Sequence, residues 1–191
     1  MTHTGTELVP RLVELYRLMD LAYGEASERA GFSCEGCNGV KCCTVDLIVH
    51  TFAEMLYLRR GFSALEKTLR LEIKQRCRDI LRAKSSDPLG SSYREAVCAL
   101  NFDGRCVLYD HRPMICRLAG IPHVINRPNS TQSRAGGCHR FETDISPVFP
   151  HITIDRTSFY KEMAQLEISM IQELGRRTHS LTVAEILGGC V

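Results

Sequence analysis

Ten cysteines in a chain of 191 residues carry most of the chemistry that this sequence can offer. Four of them fall within ten positions, Cys34-Glu-Gly-Cys37-Asn-Gly-Val-Lys-Cys42-Cys43. Two cysteines separated by two residues can place both sulfurs on one ion, because the tight turn between them brings the side chains to the same side. Gly36 and Gly39 suit that turn, since they put no side chain against a metal. Adjacent cysteines chelate one tetrahedral ion together only with strain, so the spacing leaves open which of Cys42 and Cys43 faces the site. A second group is more widely spread: Cys98, seven residues, Cys106, nine residues, Cys116, and then Cys138. These spacings match neither a zinc-ribbon knuckle nor the bacterial ferredoxin run.

Ten cysteines are about 5% of the chain, below the ~8–10% of disulfide scaffolds. The opening Met1-Thr-His-Thr-Gly-Thr-Glu7 has neither the basic nor the apolar stretch of a secretory signal. The expected location is therefore the cytoplasm, where reducing conditions disfavour disulfides and clustered thiols serve as metal ligands or redox groups. Basic residues accompany the thiols: Lys41, Arg105, Arg112, Arg117 and Arg140. Positive neighbours lower a thiolate's pKa and offset the anionic charge of a four-thiolate site. Arg112 and Arg117 are the candidates for steadying thiolates or a bound anion; the equal alternative is that they anchor loop carbonyls.

The remaining residues of chemical interest read more plainly. Cys77 falls on the apolar stripe of a helix and is expected in the core, while Cys190 lies next to the chain end and is incidental. His139 follows Cys138 and could offer a nitrogen, but a surface position is the expectation; Tyr109 reads as a packed aromatic. No P-loop, dinucleotide fingerprint, H-E-x-x-H or G-x-S-x-G motif is present, so no substrate is named and enzyme activity stays undecided. Lys and Arg number 24 against 22 Asp and Glu, which excludes a dedicated nucleic-acid binder but not a local basic patch. No apolar run approaches the ~20 residues of a membrane span.

The elements that must position these thiols are mainly helical. Leu8, Leu12, Leu15, Met19, Ala22 and Ala26 recur at helical steps and predict a helix over 6–30, with Thr6 as cap and Gly31 as stop. A cysteine loop follows, and alternation over 44–49 predicts a short strand. Thr51-Phe-Ala-Glu54 and Ser63-Ala-Leu-Glu66 read as capping boxes, the first opening a helix to about residue 60 and the second a helix to about residue 84. Leu65, Leu69, Ile73, Ile80 and Leu81 supply the core face of that second helix. Residues 88–150, rich in proline and glycine, read as irregular apart from a short strand at 106–109 and a short helix over 112–118. Asp110 could cap that helix and Pro113 suits its first turn. So long an irregular stretch needs a reason, and a clamping metal would be one. Helices return over 156–187: Phe159, Met163, Leu166, Met170 and Leu174 form one stripe, capped by Asp155 or Ser158 and stopped by Gly175, and Thr182-Val-Ala-Glu185 is a third capping box. The expected architecture is a single, mainly α-helical domain over 1–191 with at most short strands.

These motifs together resemble the bacterial and archaeal cysteine-cluster proteins described as zinc- or iron-chelating domains, the CxxCxxCC family. Cys34, Cys37 and the Cys42-Cys43 pair carry one half of the resemblance. Cys98-Ala-Leu-Asn-Phe-Asp-Gly-Arg-Cys106-Val-Leu-Tyr-Asp-His-Arg-Pro-Met-Ile-Cys116-Arg117 carries the other, looking like the family's C…G-x-C-x-x-Y-x-x-R-P-x-x-C-R signature, with Cys138 beyond it. The match spans roughly residues 32–140. In one departure, four residues precede the Cys-Cys pair where the family usually has two. The resemblance implies metal chelation by Cys34, Cys37, Cys42, Cys43, Cys98, Cys106, Cys116 and Cys138; similar domains occur in flagellin lysine methylases.

The first expected function is a thiolate metal-binding protein that holds zinc or iron structurally or for metal handling. The alternative is an iron–sulfur protein with a redox or group-transfer role, in which Arg112 and Arg117 tune the cluster. A metal-free Cys42-Cys43 redox switch ranks last, because vicinal disulfides are strained. The expected partner is a metal ion, with neither nucleic acid nor membrane expected; the sequence identifies no protein partner.

Overall fold

A computed structural model of the chain describes residues 5–34, 43, 48–86, 96–127, 132–174 and 180–189. In chain order the elements are α1 (Gly5–Ala30), α2 (Phe52–Ala64), α3 (Lys67–Ser86), β1 (Asn101–Phe102), β2 (Arg105–Cys106), a 3-10 turn (Tyr109–His111), α4 (Met114–Arg117), β3 (His123–Ile125), β4 (Ser133–Ala135), α5 (His139–Asp144), β5 (Ile154–Asp155), α6 (Thr157–Leu174) and α7 (Val183–Gly188). The chain is mainly helical, as the periodicity predicts. Among the described residues no helix is long and apolar enough to cross a membrane. The chain divides into two compact units, Met1–Cys42 with Met114–Arg176, and Cys43–Pro113 with Arg177–Val191.

In the first unit α1 packs on α6 and α4. The stripe predicted for α1 is its buried face: Leu8, Leu12, Leu15, Met19 and Ala26 are all buried. Gly31 ends the helix in the left-handed region at φ +60°. Two strands of a small sheet of order β4-β3-β5, antiparallel on one side and parallel on the other, lie in the stretch expected to be irregular, β3 and β4; β5 follows just beyond it. The α6 helix begins at Thr157, so Ser158 lies inside it and Arg156 takes the cap position; Asp155, one residue further back, accepts a hydrogen bond from the Thr157 amide at 2.9 Å. Its predicted stop, Gly175, lies outside the described residues.

In the second unit α3 packs on α7, and Met55, Leu58, Ile73, Cys77, Leu100 and Ile186 share one core. Both boxes at Thr51 and Thr182 form as read, each hydroxyl accepting from the amide three residues on while Glu54 or Glu185 accepts from the cap amide. The box at Ser63 does not form. The α2 helix runs on through Gly61 to Ala64, and the Ser63 hydroxyl instead donates to the Arg59 carbonyl at 2.8 Å. A capping residue needs an unstarted helix in front of it, and here the preceding helix has not yet ended. The strand read at 106–109 is a hairpin one step earlier, followed by the 3-10 turn, and the helix read at 112–118 is the single turn α4, directly preceded by Pro113. Of the strand read at 44–49, residues 44–47 lie outside the described residues and 48–49 are not a strand.

Candidate functional site

The second unit holds Cys43, Cys98 and Cys106, with Cys43 near enough to act on the charge of the other two. The β1–β2 hairpin does the positioning. It turns through Asp103 and Gly104, both at positive φ (51° and 82°), the combination that a two-residue hairpin needs, with Asn101 opposite Cys106. Arg76 on α3 pins this hairpin: its guanidinium donates to the Asn101 carbonyl at 2.8 Å and lies 3.7 Å over the Phe102 ring. The Cys98 amide donates to the Cys43 carbonyl at 2.6 Å. Behind them Cys77 is fully buried on α3, the core position its periodicity predicts.

Two of these sulfurs accept backbone hydrogen bonds, Cys98 from the Leu100 amide and Cys106 from the Leu108 amide. Each bond favours the anionic sulfur. Burial works the other way and dominates. It pushes the Cys98 thiol up to about 12, with the thiols of Cys106, Cys43 and Cys77 adding to the rise. Burial likewise raises Cys106, against the Leu108 amide and the Arg112 charge and together with Cys43. Such thiols stay protonated until a cation displaces the protons, as a coordinated metal does. Arg112 lies 3.4 Å over the Tyr109 ring and donates to the Tyr109 carbonyl at 2.9 Å, so it braces the 3-10 turn as well as acting on Cys106.

The first unit holds Cys34, Cys116 and Cys138. Cys34 follows α1 through a turn fixed by three contacts. Ser27 donates to the Phe32 carbonyl, Arg140 donates to the Ser33 carbonyl at 2.9 Å, and the Phe32 ring meets Phe141 edge-on at 5.1 Å. The Tyr23 hydroxyl is in hydrogen-bond contact with the Cys34 sulfur at 3.0 Å. Gly120 links two of the cysteines. A side chain there would stand 3.5 Å from the Cys34 sulfur and 3.3 Å from the Phe32 ring, and the Gly120 carbonyl accepts the Cys138 amide at 2.9 Å. Cys116 lies on α4 a few residues before that loop. Arg117 is 4% exposed; it pairs with Asp20 at 2.5 Å and lies 4.2 Å over the Tyr16 ring.

Cys37 and Cys42 lie outside the described residues, as does Cys190. His139 is exposed at the start of α5. Among the described residues no three His, Cys, Asp or Glu side chains are grouped closely enough to hold a metal ion. Sequence reading passed over Tyr23, whose contact with Cys34 joins residues eleven positions apart. It also passed over the hairpin turn, for which Asp103-Gly104 was the available signal. No family model, curated protein or solved structure matches the chain.

Proposed function

We propose that the chain is a thiolate metal-binding protein, holding zinc or iron through cysteines drawn from Cys34, Cys37, Cys42, Cys43, Cys98, Cys106, Cys116 and Cys138. One observation carries the reading: the Cys98 and Cys106 sulfurs, with Cys43 beside them, each accept a backbone amide although burial disfavours their charge. Amides aimed at sulfur stabilise thiolates and are a usual part of the surroundings of bound zinc and iron–sulfur centres. The donor chemistry fits a soft or borderline cation, and six of the eight candidates are described. A metal would supply the positive charge that deprotonates the buried thiols. The protein's own part is to fix the sulfurs through the hairpin and the Gly120 loop.

A second reading, an iron–sulfur protein with a redox or group-transfer role, is favoured by the Arg112 charge at Cys106, because charge and hydrogen bonds at sulfur set cluster potentials. Anaerobic purification followed by elemental analysis and an absorption spectrum tests both. Colourless protein with stoichiometric zinc or iron supports the first reading. Brown protein with acid-labile sulfide supports the second, and metal-free protein of unchanged stability overturns both.

A further inference from the structure

In the second unit the chain turns a corner between α2 and α3, and a cavity of about 240 Å³ opens there. Phe62, from the last turn of α2, and Lys67, Arg70, Leu71 and Lys74, from the start of α3, line it. Phe62 is buried, whereas Leu71 is 56% exposed and lies off the side of α3 that carries Ile73, Cys77 and Ile80 into the core. Arg70 crosses the corner to donate to the Ser63 carbonyl at 3.4 Å. The charges of α3 are sorted by position. Arg76, Arg82 and Lys84 pair with Glu72, Asp79 and Glu185, and Arg78 donates to Gln75. Among the described residues Lys67, Arg70 and Lys74 form no ion pair, although Glu66 is adjacent in the chain. Lys67, Leu71 and Lys74 recur at steps of four and three, so they share one face with Arg70 beside them. Like charges held on one helical face repel one another, a cost that an incoming anion reverses.

We propose that this corner is a docking site for a partner protein, which inserts one apolar side chain between Phe62 and Leu71 and sets acidic residues around it against Lys67, Arg70 and Lys74. The volume argues against a cofactor or drug-sized ligand, whose sites run to about 300–1,000 Å³, and suits a single side chain. An anionic bilayer takes up the apolar face of a helix. That face of α3 is used by the core, leaving Leu71 as the exposed large apolar residue among its described residues. A nucleic-acid strand stacks its bases on exposed rings, and the ring here, Phe62, is buried; the chain's formal net charge is only +2. An apolar anchor in a pocket, with complementary charges around it, is a common form of protein recognition. The site shares no residue with the cysteine clusters, so the inference goes beyond metal binding and does not rest on it.

The test immobilises the full-length protein and offers it a peptide library with a central Leu, Ile, Met or Phe, its flanking positions randomised among Asp, Glu, Ser, Ala and Lys. Selection is expected to enrich acidic residues on both sides of the apolar one. A selected peptide, labelled and titrated by fluorescence anisotropy, should bind about tenfold more weakly to Lys67→Glu with Lys74→Glu, and about fivefold more weakly to Leu71→Ser. Arg78→Glu with Arg82→Glu changes the net charge equally on the same helix outside the cavity, and should keep affinity within about twofold. The substituted side chains are all exposed, and circular dichroism checks that each variant folds. If the reversed lysine pair does not fold, Lys74→Gln, expected to bind about threefold more weakly, and Leu71→Ser decide. A library without acidic enrichment, or equal weakening by the two charge-reversed pairs, would overturn the proposal. So would binding of phosphatidylcholine–phosphatidylserine vesicles or of oligodeoxythymidine that the lysine pair abolishes while no peptide is selected. Self-association in sedimentation that the same pair abolishes would make a second copy the occupant, and would overturn it too.

Discussion

The backbone amide of Cys98 donates to the carbonyl of Cys43 at 2.6 Å, tying the last residue of the first cysteine cluster to the entry of the β1–β2 hairpin. That bond holds two thiols in register whether or not their sulfurs carry a metal. Replacing the sulfurs therefore separates ligation from folding. Cys98→Ser with Cys106→Ser is expected to lower metal per chain, whereas Cys77→Ala leaves it unchanged and reduces stability by about 1 kcal/mol, as expected for a small change in a packed core. Elemental analysis and thermal unfolding of the two variants check this. Equal metal loss in both would mean that Cys77 is a ligand.

Gly120 meets two demands at once. Its φ of +103° lies where side chains are strained, and a Cβ would press on the Phe32 ring at 3.3 Å while only touching the Cys34 sulfur at 3.5 Å. Gly120→Ala should destabilise the chain by about 1–2 kcal/mol from backbone strain alone. It should also weaken metal retention against a chelator, because the ring that must give way belongs to Phe32, two residues before Cys34. Unfolding in denaturant gives the first quantity and competition with a chromogenic chelator the second. Lower stability with undiminished retention would remove Cys34 from the ligand set.

These contacts mark the boundary of what the sequence could disclose. The capping boxes at Thr51 and Thr182 were legible because their partners are three residues away, and the α1 stripe because a helix repeats its face locally. Ser63 carried the same local signal and misled, since α2 was already helical at that position. The pairing of β3 with β5 is parallel and joins residues about thirty positions apart, a relation that no short pattern encodes. The same holds at the candidate site. Spacing singled out the cysteines, but which of them share a unit is settled by the hairpin and by the Gly120 loop. No pattern in the sequence marks Arg156, and only the fold buries it.

The pH dependence of the second unit should follow His50, which is 3% exposed and bridged through its backbone to Leu181. Burial lowers its pKa below the ordinary 6.5, against a smaller opposing effect of Glu54. The unfolded chain therefore binds this proton more readily than the folded chain. Stability from His50 is complete above about 6.5 and is lost as pH falls from there through the lowered folded value. Denaturant midpoints between pH 7.5 and 5.5 should decline in the wild type, and His50→Leu should flatten that decline. An unchanged slope in the variant would assign the dependence to other groups.

Gly61 gives a prediction opposite to helix propensity. It lies inside α2, where alanine ordinarily gains about 1 kcal/mol over glycine. The space a Cβ would take is filled by the His111 ring, whose nearest atoms include Cγ. That ring is stacked on Tyr57 at 4.7 Å between centroids and belongs to the 3-10 turn that follows Cys106, so it cannot swing aside without moving the turn. Gly61→Ala should therefore lose stability, by about 1–3 kcal/mol as overpacked sites do. Adding His111→Ala should recover most of that loss, because the clash then has no second partner. A double-mutant cycle in denaturant measures the coupling directly. A Gly61→Ala variant more stable than wild type, or a pair of substitutions whose effects simply add, would show that the ring does not hold α2 and the turn together.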